Sequence, residues 1–179
     1  HRSAMTPDLP GSLEGRTVPV FAPGVALLGQ VQEAMAWIAA GWELDPACDA
    51  PSADLGEVLE SRSAGSPDLA HLLVAVLRGW GIPARYAVGY LDPGYFEPDE
   101  DDPEDTEPLP QTMRAWAEVL IPGAGWRGVD PSQNLLADDT YIRVAVGRDA
   151  ADVLTERASY KGDPQKTSES VTIKVTRLT

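Results

Sequence analysis

From residue 25 to residue 41 the apolar side chains Leu27, Leu28, Val31, Met35 and Ile38 recur three or four positions apart. That spacing sets them along one side of an α-helix, and Gly41 is a suitable stop for it. Residues 45–51, opening on Asp45-Pro46, read as a loop. Ser52 is then the candidate N-cap of a short helix that buries Leu55, Val58 and Leu59. A third helix starts around Ser66, with Ser66 as its cap, Pro67 at the first helical position and Asp68 at the second. Leu69, Leu72, Leu73, Val76 and Leu77 give it an apolar face broad enough for a helix held inside a core, and Gly79 and Gly81 close it.

Downstream the hydrophobic period shortens to two. Residues 84–91, 112–121, 126–130 and 141–146 read as strands, with Pro122-Gly123-Ala124-Gly125 turning the second into the third. Residues 170–176 alternate β-branched with polar side chains, which suits a last strand exposed on one face. With five residues in the hairpin connection, Asp130 falls opposite Trp116 and diagonal to Arg114 on one face. A slip of one residue would send the two charges to opposite faces. No internal repeat is visible. Helices first and antiparallel strands afterwards predict an α+β domain, its N-terminal helices packed on an antiparallel sheet.

A chain of 179 residues, 43% hydrophobic and 23% charged, is of the size and composition of one globular domain. No apolar run approaches the roughly 20 residues of a membrane span. Residues 1–5 read as a tag remnant. Residues 6–24, punctuated by Pro7, Pro10, Gly11, Pro19, Pro23 and Gly24, read as an extended arm or linker, so the domain proper is expected over 25–179. Cys48 is the lone cysteine and His71 the one histidine beyond residue 1, so neither an internal disulfide nor a Cys- or His-built metal centre is expected, and no cofactor. A formal net charge of −14 disfavours nucleic acid, whose phosphates would be repelled. A protein or peptide partner, basic if the charge is used, fits better, and a cytoplasmic location is the expectation. Eight acids (Glu97, Asp99, Glu100, Asp101, Asp102, Glu104, Asp105 and Glu107) supply more than half of that excess. Interspersed with Pro98, Pro103 and Pro108, they make residues 97–110 an expected mobile, solvated loop leading into the strand of Arg114.

Several short motifs follow one another in a telling order. They are Ser66-Pro67-Asp68, Gly79-Trp80-Gly81-Ile82-Pro83-Ala84-Arg85-Tyr86, Arg114-Ala115-Trp116, Gly125-Trp126-Arg127-Gly128-Val129-Asp130-Pro131-Ser132 and Tyr141-Ile142-Arg143-Val144-Ala145-Val146-Gly147. Together, over about residues 25–178, they resemble bacterial transglutaminase-like proteins of papain-like fold. The resemblance implies a catalytic Cys at position 66, a His at position 114 and an Asp at position 130. It also implies that a β-rich module often precedes this core in full-length relatives. Here Ser66 and Arg114 replace the first two, and Asp130 alone matches.

The family chemistry implied is attack by a thiolate on an amide carbonyl. A helix N-terminus lowers the thiol pKa, a His moves the proton, and an Asp orients that His. A serine hydroxyl is far less acidic and needs a base in contact. A guanidinium has no acceptor nitrogen and stays protonated, so Arg114 cannot serve Ser66. Pro67 is a further departure. Ser66 is therefore expected to act as a helix cap worth about 1 kcal/mol. Arg114 is expected to form an ion pair with Asp130, or alternatively to bind a carboxylate or phosphate.

His71 lies five helical positions after Ser66, about 140° around the axis, and is expected to be a buried, hydrogen-bonded residue. Acidic neighbours would raise the Cys48 thiol pKa, the wrong direction for a nucleophile. Trp116 and Trp126 are expected in the core or on a groove wall, where they would join Arg114 as binding residues. The function expected is a non-catalytic, transglutaminase-like binding or scaffolding module. The alternative is an amide or ester hydrolase, or an acyl transferase, that uses Ser66 with another base.

Overall fold

The structure, a computed structural model, describes residues 9, 11–13, 16–48, 50–52, 55–92 and 113–153. The expected tag remnant, the acidic stretch 97–110 and the strand at 170–176 lie outside the described residues. Three helices precede a five-stranded antiparallel sheet: α1 (Leu27–Ala39), α2 (Leu55–Ser61) and α3 (Ser66–Gly79), then β5 (Ala84–Leu91), β6 (Arg114–Ile121), β7 (Gly125–Asp130), β8 (Leu135–Leu136) and β9 (Tyr141–Gly147). Four short strands, β1 (Ser12–Leu13), β2 (Arg16–Thr17), β3 (Glu43–Leu44) and β4 (Ser63–Ala64), pair two by two around the helices. The sheet runs β8-β7-β6-β5-β9, so four strands meander and the last returns to the free edge of β5.

The predicted helices form because their apolar stripes meet. Val31, Ala34, Met35 and Ile38 of α1 pack with Leu55 and Val58 of α2 and with Leu69, Leu72, Leu73, Val76 and Leu77 of α3. Residues 66–77 of α3 are all buried, which is why its apolar face is so broad. It ends where Gly81, at φ 77°, lets the N–H groups of Gly81 and Ile82 turn back to the carbonyls of Arg78 and Leu77. Alternation along β6 sorts the sheet's two faces. Ala115, Ala117 and Val119 join the cores against α3, while Arg114, Trp116, Glu118 and Leu120 point to the other, outer face.

Two caps differ from expectation. The carbonyl of Gly65 accepts the first intrahelical bond, from Leu69 N at 3.1 Å, so Gly65 is the N-cap and Ser66 the first helical residue. Sterics decide this, since a Cβ on Gly65 would overlap the Cys48 carbonyl oxygen. Ser52 likewise turns away from α2, whose described part begins at Leu55. Its N–H and hydroxyl both donate at 2.8 Å to the buried carboxylate of Asp68, which needs those donors more.

The proline-rich segment is held against the helices. Trp80 Nε1 donates to the Pro19 carbonyl at 2.8 Å, Val18 is buried, and the Gln30 amide bonds Ala22 and Val25.

Candidate functional site

The start of α3 abuts the start of β6. Ser66, 8% exposed, accepts a hydrogen bond at its Oγ from the Ala115 N–H at 3.2 Å, which sets it one residue from Arg114. Among the described residues that is the one bond its hydroxyl makes. The β6–β7 hairpin turns through three residues, 122–124, and keeps the register expected of a five-residue connection. Leu120 faces Trp126 and Ala117 faces Val129, which carries Asp130 to the level of Trp116.

Arg114 and Asp130 share a face, yet they do not touch as an ion pair. Ser132 stands between them: Arg114 Nη2 donates to Ser132 Oγ at 2.7 Å, and Ser132 Oγ donates to Asp130 Oδ1 at 2.6 Å. The Ser132 N–H also reaches Asp130 Oδ1, at 2.8 Å, closing a tight turn of the kind aspartate favours two residues on. Tyr141, at the start of β9, donates its hydroxyl to Asp130 Oδ2 at 3.0 Å. The fully buried Asp130 carboxylate is thus satisfied by hydroxyls and a backbone N–H instead of a cation, while Arg114 Nε is buried without a partner.

Ser132 and Tyr141 are the site residues that reading the sequence missed. The Asp-x-Ser pattern at 130–132 could have flagged the first. Nothing local could have flagged the second, because it arrives from another strand. Ser132→Ala should cost about 1–2 kcal/mol in denaturant unfolding, since it leaves the Arg114 Nη2 without its acceptor and Asp130 Oδ1 with the backbone N–H alone. A Ser132→Thr change, which keeps the hydroxyl, should restore most of that.

The remaining residues of interest lie apart. His71 is 1% exposed, stacks on Tyr86 at 4.4 Å between ring centres, and accepts the Ala150 N–H at Nε2 at 3.1 Å. Burial pushes its pKa down to about 4, with nearby Asp149 opposing and Arg78 assisting. A ring whose acceptor nitrogen is already occupied is no base for Ser66. The Cys48 thiol is exposed and donates to Asp45 Oδ2 at 3.2 Å, an acidic neighbour unsuited to a reactive thiolate.

Trp116 is 1% exposed and lies edge-on to Tyr141, over glycines on both flanking strands. Trp126 is 39% exposed on the same outer face, with the Arg85 guanidinium 4.1 Å from its ring centre. The outer face therefore offers Trp126 at its surface and Trp116 beneath it. Among the described residues no group of three or more His, Cys, Asp or Glu could hold a metal ion, and no helix is long and apolar enough to cross a membrane.

Comparison with known proteins agrees with this architecture. An uncharacterized protein of Mycobacterium leprae is 35% identical over 111 residues, covering 62% of this chain and 37% of the relative. Uncharacterized proteins of Mycobacterium tuberculosis and Mycobacterium bovis are 30% identical over 159 residues, covering 82% of this chain and 46% of theirs. The chain thus spans less than half the length of the curated relatives it matches. Among solved structures, a candidate cysteine protease of Cytophaga hutchinsonii superposes with a TM-score of 0.54 at 26% identity, over 70% of this chain and 38% of that one. Helices packed on an antiparallel sheet are the papain- and transglutaminase-like core, here with a single cysteine that lies outside the helix start. The sequence profile of the transglutaminase-like superfamily matches residues 20–131, and the chain belongs to that superfamily.

Proposed function

We propose that this domain is a non-catalytic member of its family, a binding or scaffolding module in which the acyl-transfer site has been reassigned. The positions of the family triad are read as Ser66, Arg114 and Asp130. The observation that carries the reading is the surroundings of Arg114. A group that can only donate stands beside Ser66 and is engaged with Ser132, and Ser66 Oγ meets a backbone N–H instead of a base. Asp130, the expected partner of a catalytic histidine, has both carboxylate oxygens occupied by Ser132 and Tyr141. The lone thiol and the described imidazole each have another partner. Arg114, Trp116 and Trp126 are proposed as binding residues, and the net charge of −14 favours a basic protein or peptide as partner.

The test has a chemical arm and a binding arm. A fluorophosphonate probe should leave Ser66 unlabelled, and the protein should neither incorporate amines nor cleave peptide amides. Labelling that disappears in Ser66→Ala would establish the hydrolase or acyl-transferase reading instead. In the binding arm, a lysine-rich peptide should bind in a salt-sensitive manner by calorimetry and lose that binding when residues 97–107 are deleted. Equal binding by the deletion variant would remove the acidic stretch from the proposal.

A further inference from the structure

The outer face of the sheet carries a cavity of about 330 Å³ that the triad positions do not include. Its volume is in the range of small-molecule sites, roughly 300–1,000 Å³. Trp116 and Glu118 of β6, Gly128 of β7, Asp138, and Tyr141 and Arg143 of β9 line it, with Ala137 beside Gly128. Three of these present hydrogen-bonding capacity that the protein leaves unused. Trp116 Nε1 lies over Gly128, 3.2 Å from where a Cβ on that glycine would stand, and donates to no described residue. Unlike Trp37 Nε1, it is not sealed off, so its opening is the cavity.

Asp138 Oδ1 accepts both the N–H and the hydroxyl of Thr140, at 2.9 and 2.6 Å, while Oδ2 takes no bond among the described residues. These bonds hold its carboxyl below the usual range, so it is an anionic acceptor at neutral pH. Arg143 gives one N–H to Glu118 Oε1 at 2.8 Å and, with its side chain half exposed, keeps others to offer. Glu118 is the fixed post of this arrangement. Its buried carboxylate is clamped between Arg85 and Arg143, which orients the Arg143 fork.

The walls therefore present an indole donor, a guanidinium donor and a carboxylate acceptor from three separate segments of the chain. An anionic ligand would meet the open Asp138 Oδ2. A cationic one would meet Arg143 and leave the indole N–H without an acceptor. A flat carboxamide presents its donor and acceptor at one end only. Hydroxyl groups distributed around a ring both accept and donate in several directions without charge. We propose that this cavity binds a small, neutral, polyhydroxylated ligand of monosaccharide size, with a hydroxyl oxygen accepting from Trp116 Nε1–H and a hydroxyl donating to Asp138 Oδ2. The proposal deepens the binding reading by naming a ligand class for the face that holds Trp116, and the two fail separately. Catalysis at Ser66 would end that reading and leave this cavity untouched, whereas an unresponsive indole would do the reverse.

The test is titration of the ¹⁵N-labelled protein with glucose, galactose and mannose, following the five indole N–H cross-peaks. The Trp116 cross-peak, assigned through Trp116→Phe, should move saturably, with half-saturation at about 1 mM for at least one sugar. Asp138→Asn preserves an acceptor for Thr140 and replaces Oδ2 with a donor, so it should weaken that response at least tenfold without unfolding the protein. Movement of the other indoles alone, or of none at about 0.1 M sugar, where a 1 mM site would be saturated, would overturn the assignment. So would an equal response to acetamide or to ammonium, or an Asp138→Asn protein that titrates like the parent.

Discussion

Gly89→Ala should destabilise the protein by about 3 kcal/mol, the upper part of the range for forcing a methyl group into a packed interior. Gly89 sits in β5 between two partners, opposite Arg114 on β6 and Arg143 on β9. A Cβ there would overlap the Ile142 carbonyl oxygen and approach the Trp116 ring to 2.8 Å. Neither neighbour can give way cheaply. The carbonyl belongs to the backbone of a paired strand, and the indole is wedged over Gly128 against Tyr141. Chemical denaturation measures the effect. The control is the same substitution at Gly29, exposed within α1 with nothing near its missing Cβ, where alanine should stabilise by about 0.5–1 kcal/mol. Similar effects at both positions would mean that the β5–β9 contact is looser than described.

Acidification from pH 6.5 to pH 4 should cost about 3 kcal/mol of stability through His71 alone. Its pKa of about 4 in the folded protein lies well below the 6.5 of an unperturbed imidazole, chiefly because burial disfavours the charged ring. Above pH 6.5 both folded and unfolded chains hold it neutral, and its contribution is complete. As pH falls below 6.5 the unfolded chain takes up a proton that the folded chain refuses, and the loss grows until the folded value is reached. The drop from 6.5 to about 4, at about 1.4 kcal/mol per pH unit, with the folded ring half protonated at pH 4, sets the magnitude. Protonation would also turn Nε2 from acceptor to donor against the Ala150 N–H, so the short helix at Ala150–Asp152 should loosen first. His71→Gln keeps an acceptor for that N–H and removes the titration. Unfolding free energies measured every half pH unit should show the parent taking up about one more proton on unfolding than the variant between pH 6 and 4.5. Parallel curves for the two proteins would refute a neutral, buried imidazole.

Both effects depend on features that residue order carries unevenly. Helices α1 and α3 could be recognised because three- and four-residue spacing is a local property, and their burial follows once two such stripes meet. The hairpin register was equally legible, because a short connection leaves little choice of pairing. The cap was misplaced by one residue for a tertiary reason. Ser-Pro-Asp satisfies the local rules for a helix start, but Cys48 presses on position 65 and reserves the cap for glycine. The expected contact between Arg114 and Asp130 failed for a related cause. Shared strand face is set by register, whereas contact depends on what else enters the gap, and here Ser132 does.

The fold class, the core helix and the hairpin pairing followed from the chain's residue order, because each depends on near neighbours. Tyr141 at Asp130, the Glu118 clamp between two arginines and the cavity over Trp116 became visible only when β9 was laid beside β5. That alignment includes an extra residue, Val144, and joins positions fifty or more residues apart. One residue more or less in that strand would turn Tyr141 to the opposite face, and no local pattern encodes the choice.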